Sequence, residues 1–267
     1  MHKKNKLLAT LSLPACLALN SCSSPSPTAT VTPHSVDYTV YVPQFDSFAG
    51  WCENQAILDE ENKVTVKLLL AKTQTTNCQQ AQQKLSGLSH LNLSSQEAIN
   101  GTALTSLAPL SNLTNLRELH LDSNKIRDLA PLSNLTNLKK LFLNDNQISN
   151  ITPLATLTNL QELYLMQNQI QDVSALANLK NLHALVLDNN QVVDVQPISH
   201  LTNLKTLDLD SNQITEISSL VTLTSLNGVY AQNNPLTSRN CPVNRCTFSP
   251  PLIVRVICSW FYAFLPD

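Results

Sequence analysis

Rings, glycines and charge are all in short supply in this chain. Phe, Trp and Tyr make up only 5% of its 267 residues, and Gly occurs four times, while Pro, at fourteen, is ordinary. So few aromatics exclude a core built on ring clusters, and the abundant aliphatic residues must supply it. The formal net charge of −2 is too weak for the basic patch that announces a nucleic-acid partner, so none is expected. Removing Lys3, Lys4 and Lys6 with a leader segment leaves 14 basic against 19 acidic residues, a mildly acidic surface of −5. The six histidines (His2, His34, His90, His120, His183 and His200) are scattered. None has a metal-ligand spacing or a nucleophile motif beside it. Asp208-Leu209-Asp210-Ser211-Asn212 faintly resembles the start of a calcium loop, but the needed Gly and terminal Glu are missing. No catalytic residues, cofactor or metal are therefore expected.

The N-terminus reads as an address. Met1–Lys6 carries three lysines and Leu7–Leu19 is an apolar stretch of thirteen residues, which is a secretory signal too short to span a bilayer as a mature helix. Leu19-Asn20-Ser21-Cys22 resembles the cleavage box of bacterial lipoproteins: Leu19, Ser21 and Cys22 match, and Asn20 is larger than the usual occupant. That resemblance implies a lipid on Cys22 and anchoring to a membrane of the cell envelope. Secretion into the periplasm or medium with an unpaired Cys22 is the alternative. Leu13-Pro14-Ala15-Cys16 is a poorer cleavage candidate because it would halve the apolar stretch. The organisation expected is a signal peptide at 1–21 and a Ser/Thr/Pro-rich tether at 22–46. Residues Ser23–His34 have the composition of a segment that cannot bury enough apolar surface to order itself.

From Leu116 the chain repeats every 22 residues, with copies starting at Leu138, Leu160, Leu182 and Leu204 and a decaying one at Leu226. The pattern L-x-x-L-x-L-x-x-N recurs with hardly a slip. Leu119 and Leu121 alternate about one outward residue, which predicts a strand with one buried face. Asn124, Asn146, Asn168, Asn190, Asn212 and Asn234 fall where each strand ends. Further on, Asp128-Leu129-Ala130-Pro131-Leu132 and its equivalents predict short helical turns, with Pro131, Pro153 and Pro197 suited to the first helical position. One coil alone buries too few aliphatic side chains to offset the entropy of ordering it, so coils must stack and the ends need caps.

This pattern resembles the short leucine-rich repeats of internalin-like bacterial proteins, and the match covers about half of the chain. The resemblance implies an α/β fold: a right-handed leucine-rich-repeat solenoid with a parallel sheet on its concave face and short 3-10 turns on its convex face. It also implies that the asparagines form a continuous ladder, satisfying backbone groups of neighbouring coils. The expected limits are a helical N-terminal cap at 47–87, the solenoid at 88–240, and a C-terminal cap with an apolar tail at 241–267. The first coil, from Leu88-Ser89-His90-Leu91-Asn92-Leu93, is imperfect, with extra residues around Glu97–Thr102. Cys52 with Cys78 and Cys241 with Cys246 are the natural disulfides of an exported protein, one per cap. Metal binding by these four is the competing idea, against which stands the lack of C-x-x-C spacing. The tail at 252–265 is too short to span a bilayer. It covers the last coil, touches a membrane or partner, or is an appendage, and an altered reading frame would also explain its change of composition. Five N-x-S/T sequons, such as Asn112-Leu113-Thr114 and Asn134-Leu135-Thr136, mostly follow from the repeat and are incidental.

Function is sought in residues that the fold does not need. Position five of each copy reads His120, Phe142, Tyr164, Val186, Asp208 and Tyr230. Position three reads Glu118, Lys140, Glu162, Ala184, Thr206 and Gly228, and position seven Asp122, Asn144, Met166, Asp188, Asp210 and Gln232. Phe142, Tyr164 and Val186 are expected to form an apolar patch flanked by Asp122, Asp188 and Asp210. Aromatic anchors within a polar rim are the makeup of a protein-binding surface. The candidate partner-binding set is therefore His120, Phe142, Tyr164, Val186, Asp208, Tyr230, Asp122, Met166, Asp188 and Asp210. Two readings stand: a monomeric protein-recognition module at the cell envelope, and a structural or adhesive surface protein contacting envelope polysaccharide or neighbouring cells. Strand propensity alone also favours Phe, Tyr and Val at such positions.

Overall fold

Seven apolar side chains in each copy turn inward. In the copy beginning at Leu116 they are Leu116, Leu119, Leu121, Ile126, Leu129, Leu132 and Leu135, all at most 1% exposed. The computed structural model describes residues 44–95, 102–237 and 243. The signal segment, Cys22, the tether up to residue 43, Cys241, Cys246, the tail at 252–265 and most of the insertion in the first coil lie outside the described residues.

Seven short strands follow in chain order: β1 (His90–Asn92), β2 (Glu118–His120), β3 (Lys140–Phe142), β4 (Glu162–Tyr164), β5 (Ala184–Val186), β6 (Thr206–Asp208) and β7 (Gly228–Tyr230). They form one sheet in the order β1-β2-β3-β4-β5-β6-β7. Every pairing is parallel and links equivalent repeat positions, as in Leu141↔Leu163 and Phe142↔Tyr164. The central leucines Leu119, Leu141, Leu163, Leu185 and Leu207 are fully buried. The imperfect first coil therefore supplies a seventh strand to the six of the regular copies.

Beyond each of the strands β2–β7 the chain turns through one left-handed residue: Ser123, Asp145, Gln167, Asn189, Ser211 and Asn233, all with φ between 54° and 56°. None is glycine, and the next residue explains why the strain is held. Asn168 donates through Nδ2 to the carbonyls of Leu143 at 2.9 Å and Leu165 at 3.1 Å, and its Oδ1 accepts from the Ile148 amide at 3.0 Å. The same bonds recur at Asn146, Asn190 and Asn212. This is the expected asparagine ladder, and it serves backbone groups that would otherwise be buried without partners.

A second ladder runs along the opposite end of the copies. Asn137, Asn159, Asn181 and Asn203 each donate to a carbonyl one coil back, those of Thr114, Thr136, Thr158 and Lys180, at 2.8–2.9 Å. Between the ladders lie 3-10 turns such as Ala130–Leu132, Thr152–Thr156 and Gln196–His200. Pro131, Pro153 and Pro197 occupy the second residue of these turns rather than the first. The second amide also lacks an intrahelical acceptor, so the residue change costs nothing there. The turn's start is served instead by the residue at position thirteen: Asp128, Asp172 and Asp194 each accept from the amide two residues on, at 2.8 Å.

The N-terminal region is helical, with α1 (Phe48–Glu53), α2 (Glu60–Thr73) and α3 (Cys78–Ser86). Ser47, Asp59 and Asn77 cap them by accepting from the third residue on. Helix α2 carries Glu60 and Glu61 in its first turn and Lys72 in its last, as the helix dipole favours. Phe48, Trp51, Val66, Leu69, Ala81 and Leu85 are buried in one core with the leucines of the coils. Thr65 Oγ1 donates to the Ser106 carbonyl at 2.7 Å, and Asn115 Nδ2 to that of Ser86 at 2.7 Å, fixing helices to coils. Cys52 and Cys78 form the expected disulfide, with Cα atoms 5.5 Å apart.

Candidate functional site: the outer face of the sheet

The strict register places position five of successive copies side by side. His120 stacks on Phe142 with ring centroids 4.1 Å apart and planes 5° from parallel, and Phe142 stacks on Tyr164 at 4.7 Å and 4°. The three rings therefore form one continuous pile across β2, β3 and β4, each half-buried. Position three holds the pile in place. Glu118 accepts from His120 Nε2 at 2.7 Å, and Glu162 accepts from the Tyr164 hydroxyl at 3.1 Å. Lys140 pairs with Glu162 at 3.1 Å, and Glu118 lies 3.8 Å from His90. Glu118, Lys140 and Glu162 belong to the site as positioning residues. Their row was visible in the sequence, but pairing within a strand needs side-chain geometry to be seen.

Two of the expected contact residues are corrected. Val186 does not extend the patch: it is 6% exposed, covered between its neighbours on β4 and β6. Asp122 is not a rim carboxylate: it is 4% exposed, and its Oδ1 accepts from the Asn144 amide at 3.0 Å. Position seven makes this bond repeatedly, Asn144 to the Met166 amide at 2.9 Å and Asp210 to that of Gln232 at 2.7 Å. Asp210 and Met166 are half-buried and so still reach the surface.

The chemistry changes along the sheet. Over β5–β7 position three carries only Ala184, Thr206 and Gly228, and the polar groups are Asp188, Asp208 and Asp210, with Tyr230 at the far strand. Asp208 is half-buried and its Oδ1 accepts from the Asp210 amide at 3.1 Å. Burial pushes its carboxyl up to about 7; the bond from Asp210 opposes this, while the charges of Asp210 and Asp188 add to it. Asp188 accepts from the Asn189 side-chain amide at 2.8 Å.

Away from the sheet, an open groove runs between the segment at 44–46, the start of α2 and the first two turns. It is lined by Asp46, Asp59, Glu61 and Asp128 among polar neighbours, and no histidine, cysteine or lysine lines it. Among the described residues no group of three or more His, Cys, Asp or Glu side chains is placed to hold a metal ion.

A parallel sheet of stacked coils, an asparagine ladder and 3-10 turns on the far side define a leucine-rich-repeat protein. The family described as leucine-rich repeats in two copies matches residues 114–156, 136–180, 158–200 and 180–222. An internalin (inlF) from Listeria monocytogenes is 33% identical, with a TM-score of 0.57, over 67% of this chain and 59% of its own. This chain thus spans less than two thirds of that protein. Internalin C2 from the same organism is 30% identical, with a TM-score of 0.50, over 68% of this chain and 90% of its own. A comparison with curated protein sequences returned no match. The chain belongs to the internalin-like leucine-rich-repeat proteins. Such repeats are generally protein-interaction modules rather than enzymes, because stacking strands in register creates an extended surface. The disulfide fits an exported protein, and among the described residues no helix is long and apolar enough to cross a membrane.

Proposed function

We propose that this protein is a non-catalytic recognition module displayed at the cell envelope, which binds a protein partner through the outer face of its sheet. The observation that carries this reading is the ring pile His120–Phe142–Tyr164, half-buried on a face whose fold needs none of the three. It also weighs against a glycan. A sugar ring binds by lying on the face of an aromatic ring, and here most ring faces are taken up by one another. Ring edges suit the packed contacts of a protein interface. Seven strands at about 4.8 Å spacing give a face about 29 Å wide, consistent with a partner burying about 800 Å² of it.

Attachment through a lipid on Cys22 belongs to the same reading, with the Ser/Thr/Pro-rich segment holding the repeats clear of the membrane. One experiment tests both parts. Wild type, Phe142→Ser with Tyr164→Ser, and Cys22→Ser are expressed in the native cell and used to capture partners from the envelope. Loss of the wild-type partners in the double variant and a shift of Cys22→Ser to the soluble fraction are expected. Unchanged partners would remove the ring pile from the site, and unchanged membrane fractionation would remove the lipid.

A further inference from the structure

Charge is sorted across the coils. From Leu116 to Thr237 every Asp and Glu falls at positions three to thirteen of its copy, and none at positions fourteen to twenty-two or at one and two. The acid-free part nevertheless carries Arg117, Lys139, Lys180 and Lys205, with His183 and His200. Arg117, Lys139, His183 and Lys205 all hold position two, immediately before β2, β3, β5 and β6.

The fold accounts for much of the acidic side. Asp128, Asp172 and Asp194 start the 3-10 turns, and Asp122 and Asp210 hold the next coil's amide. It does not account for the cations. Arg117, Lys139 and Lys205 are exposed, and their charged groups make no ion pair or hydrogen bond with described residues. The two carboxylates at the strand starts are already engaged. Glu118 accepts from His120, and Glu162 accepts from Tyr164 and pairs with Lys140.

We propose that the partner is an acidic protein, whose binding segment sets an apolar or aromatic side chain on the ring pile and pairs its carboxylates with Arg117 and Lys139. The proposal rests on the face being a protein-binding surface and names the chemistry of what binds there. Arg117 precedes the strand of His120 and Lys139 that of Phe142, so cations and rings share two strands. Positions two and five are three residues apart, about 10 Å along a strand. An extended segment laid along β2 and β3 covers that distance with about three residues of its own. His183 and Lys205 carry the positive edge on to β6 for a wider acidic surface.

Charge complementarity selects the anion. Arg117 and Lys139 stand on adjacent coils, with backbones about 4.8 Å apart, and like charges side by side on neighbouring strands repel unless an anion joins them. At physiological salt the screening length is about 8 Å. A docking segment therefore meets the acid-free edge rather than the net negative charge of the whole chain. A protein is favoured over an anionic polymer because the cations adjoin the ring pile, which a polymer held by charge alone leaves unused. Gln161 also breaks the row before β4, which suits discrete ion pairs better than the continuous track that a linear polyanion follows.

The test uses the full chain and a phage-displayed library of random peptides, selected at about 0.1 M salt, where the screening length is about 10 Å. The expected peptides carry Asp or Glu about three residues from an aromatic or large aliphatic residue. They should bind Arg117→Ser with Lys139→Ser about tenfold more weakly, as the loss of two exposed ion pairs at the upper end of their range gives. Raising the salt to about 1 M, where the screening length is about 3 Å, should weaken wild type similarly and leave that variant nearly unchanged. Lys125→Ser with Arg127→Ser removes the same charge from positions ten and twelve and should bind as wild type does. An equal loss there would reduce the effect to net charge and overturn the pairing. Peptides without enriched Asp or Glu, or with equal binding to Arg117→Ser with Lys139→Ser, would overturn the pairing while leaving the ring pile in place. Peptides insensitive to Phe142→Ser with Tyr164→Ser would bind elsewhere, which overturns the reading of the face itself. Inorganic polyphosphate that binds wild type while no acidic peptide is enriched would assign the edge to an anionic polymer and overturn the protein partner. No enrichment at all overturns the inference too, because one anchor and two ion pairs are within the reach of a short peptide. Circular dichroism of each variant confirms that it is folded.

Discussion

Replacing Asn168 by Ala tests the ladder at its centre, and the bonds state in advance how the cost divides. Each carbonyl that Asn168 serves is served twice. Leu143 O also accepts from Asn146 and Leu165 O also accepts from Asn190, so neither is stranded when Asn168 goes. The Ile148 amide is different: it donates to Asn168 Oδ1, in a buried setting, at 3.0 Å. Leaving one buried amide without a partner costs about 1–3 kcal/mol, and the bonds lost on the carbonyl side add about 1 more, so about 2–4 kcal/mol is expected. Asn234 makes the equivalent bonds to Ile214 N and Leu209 O in a half-buried setting, where water can replace the side chain. Asn234→Ala should therefore cost about 1 kcal/mol.

Urea unfolding followed by circular dichroism measures both, with the slope checked because repeat arrays can lose cooperativity. Asn168→Asp separates donor from acceptor. It keeps the acceptor for Ile148 but sets a carboxylate against the Leu143 and Leu165 carbonyls, and should be at least as damaging as Ala. If Asn168→Ala costs no more than Asn234→Ala, the ladder is not what satisfies the coil interior, and the reasoning fails.

Two further predictions follow from the site and the cap. For Asp208 the folded carboxyl lies above its ordinary 3.8, at about 7. Its protonated form is therefore favoured by folding, and that contribution is complete below 3.8 and is lost as pH rises through 7. The shift has a ceiling of about 4 kcal/mol, and partial exposure reduces it to about 1–2 kcal/mol. Asp208→Asn keeps an acceptor for the Asp210 amide and should gain about this much on wild type between pH 4 and pH 8. Parallel stability curves for the two proteins would refute the burial argument. In the cap, the Cys52–Cys78 bond spans 26 residues of sequence, for which loop-closure entropy gives about 3.5 kcal/mol. Cys52→Ala with Cys78→Ala should lower the urea midpoint and expose α1–α3 to proteolysis before the coils. Loss of the coils first would place the weak point of the molecule elsewhere.

The repeat makes most of the fold legible in the amino-acid pattern alone, because each element is stated six times over and errors in one copy are outvoted by the rest. The strands and the turns follow from side-chain type at fixed positions, and the asparagine ladder from the resemblance that those positions carry. The left-handed residue before each ladder asparagine did not, since Ser, Asp, Gln and Asn share it and no glycine marks it; the backbone there is imposed by the ladder. The second ladder was within reach. Asn137, Asn159, Asn181 and Asn203 keep the same period as the first, and periodic amides on a turn carry the same signal wherever they fall. Position seven was misjudged for a physical reason. Each strand is only three residues long, so outward alternation does not extend to Asp122, whose carboxylate turns back to hold the next coil's amide. The site was half legible: the row His120–Phe142–Tyr164 was readable, while the covering of Val186 and the shift at Asp208 depend on neighbours that only packing reveals.

The division of labour within a copy explains why the face can carry a specific partner at all. Positions one, four, six, eleven, fourteen, seventeen and twenty fill the core, and positions seven, eight, nine, thirteen and twenty-two hold the backbone. Positions three and five are the sheet positions the coil does not require. Information about a partner therefore collects in two adjacent rows, read strand by strand at about 4.8 Å intervals. Where both rows are large and paired with each other, as on β2–β4, the face is rigid and presents ring edges. Where position three is small, as on β5–β7, the same backbone presents short side chains beside the carboxylates of positions five and seven. A single sheet thus offers two different chemistries without any change of fold, and the boundary between them falls at Val186, the one position-five side chain that the coils have covered.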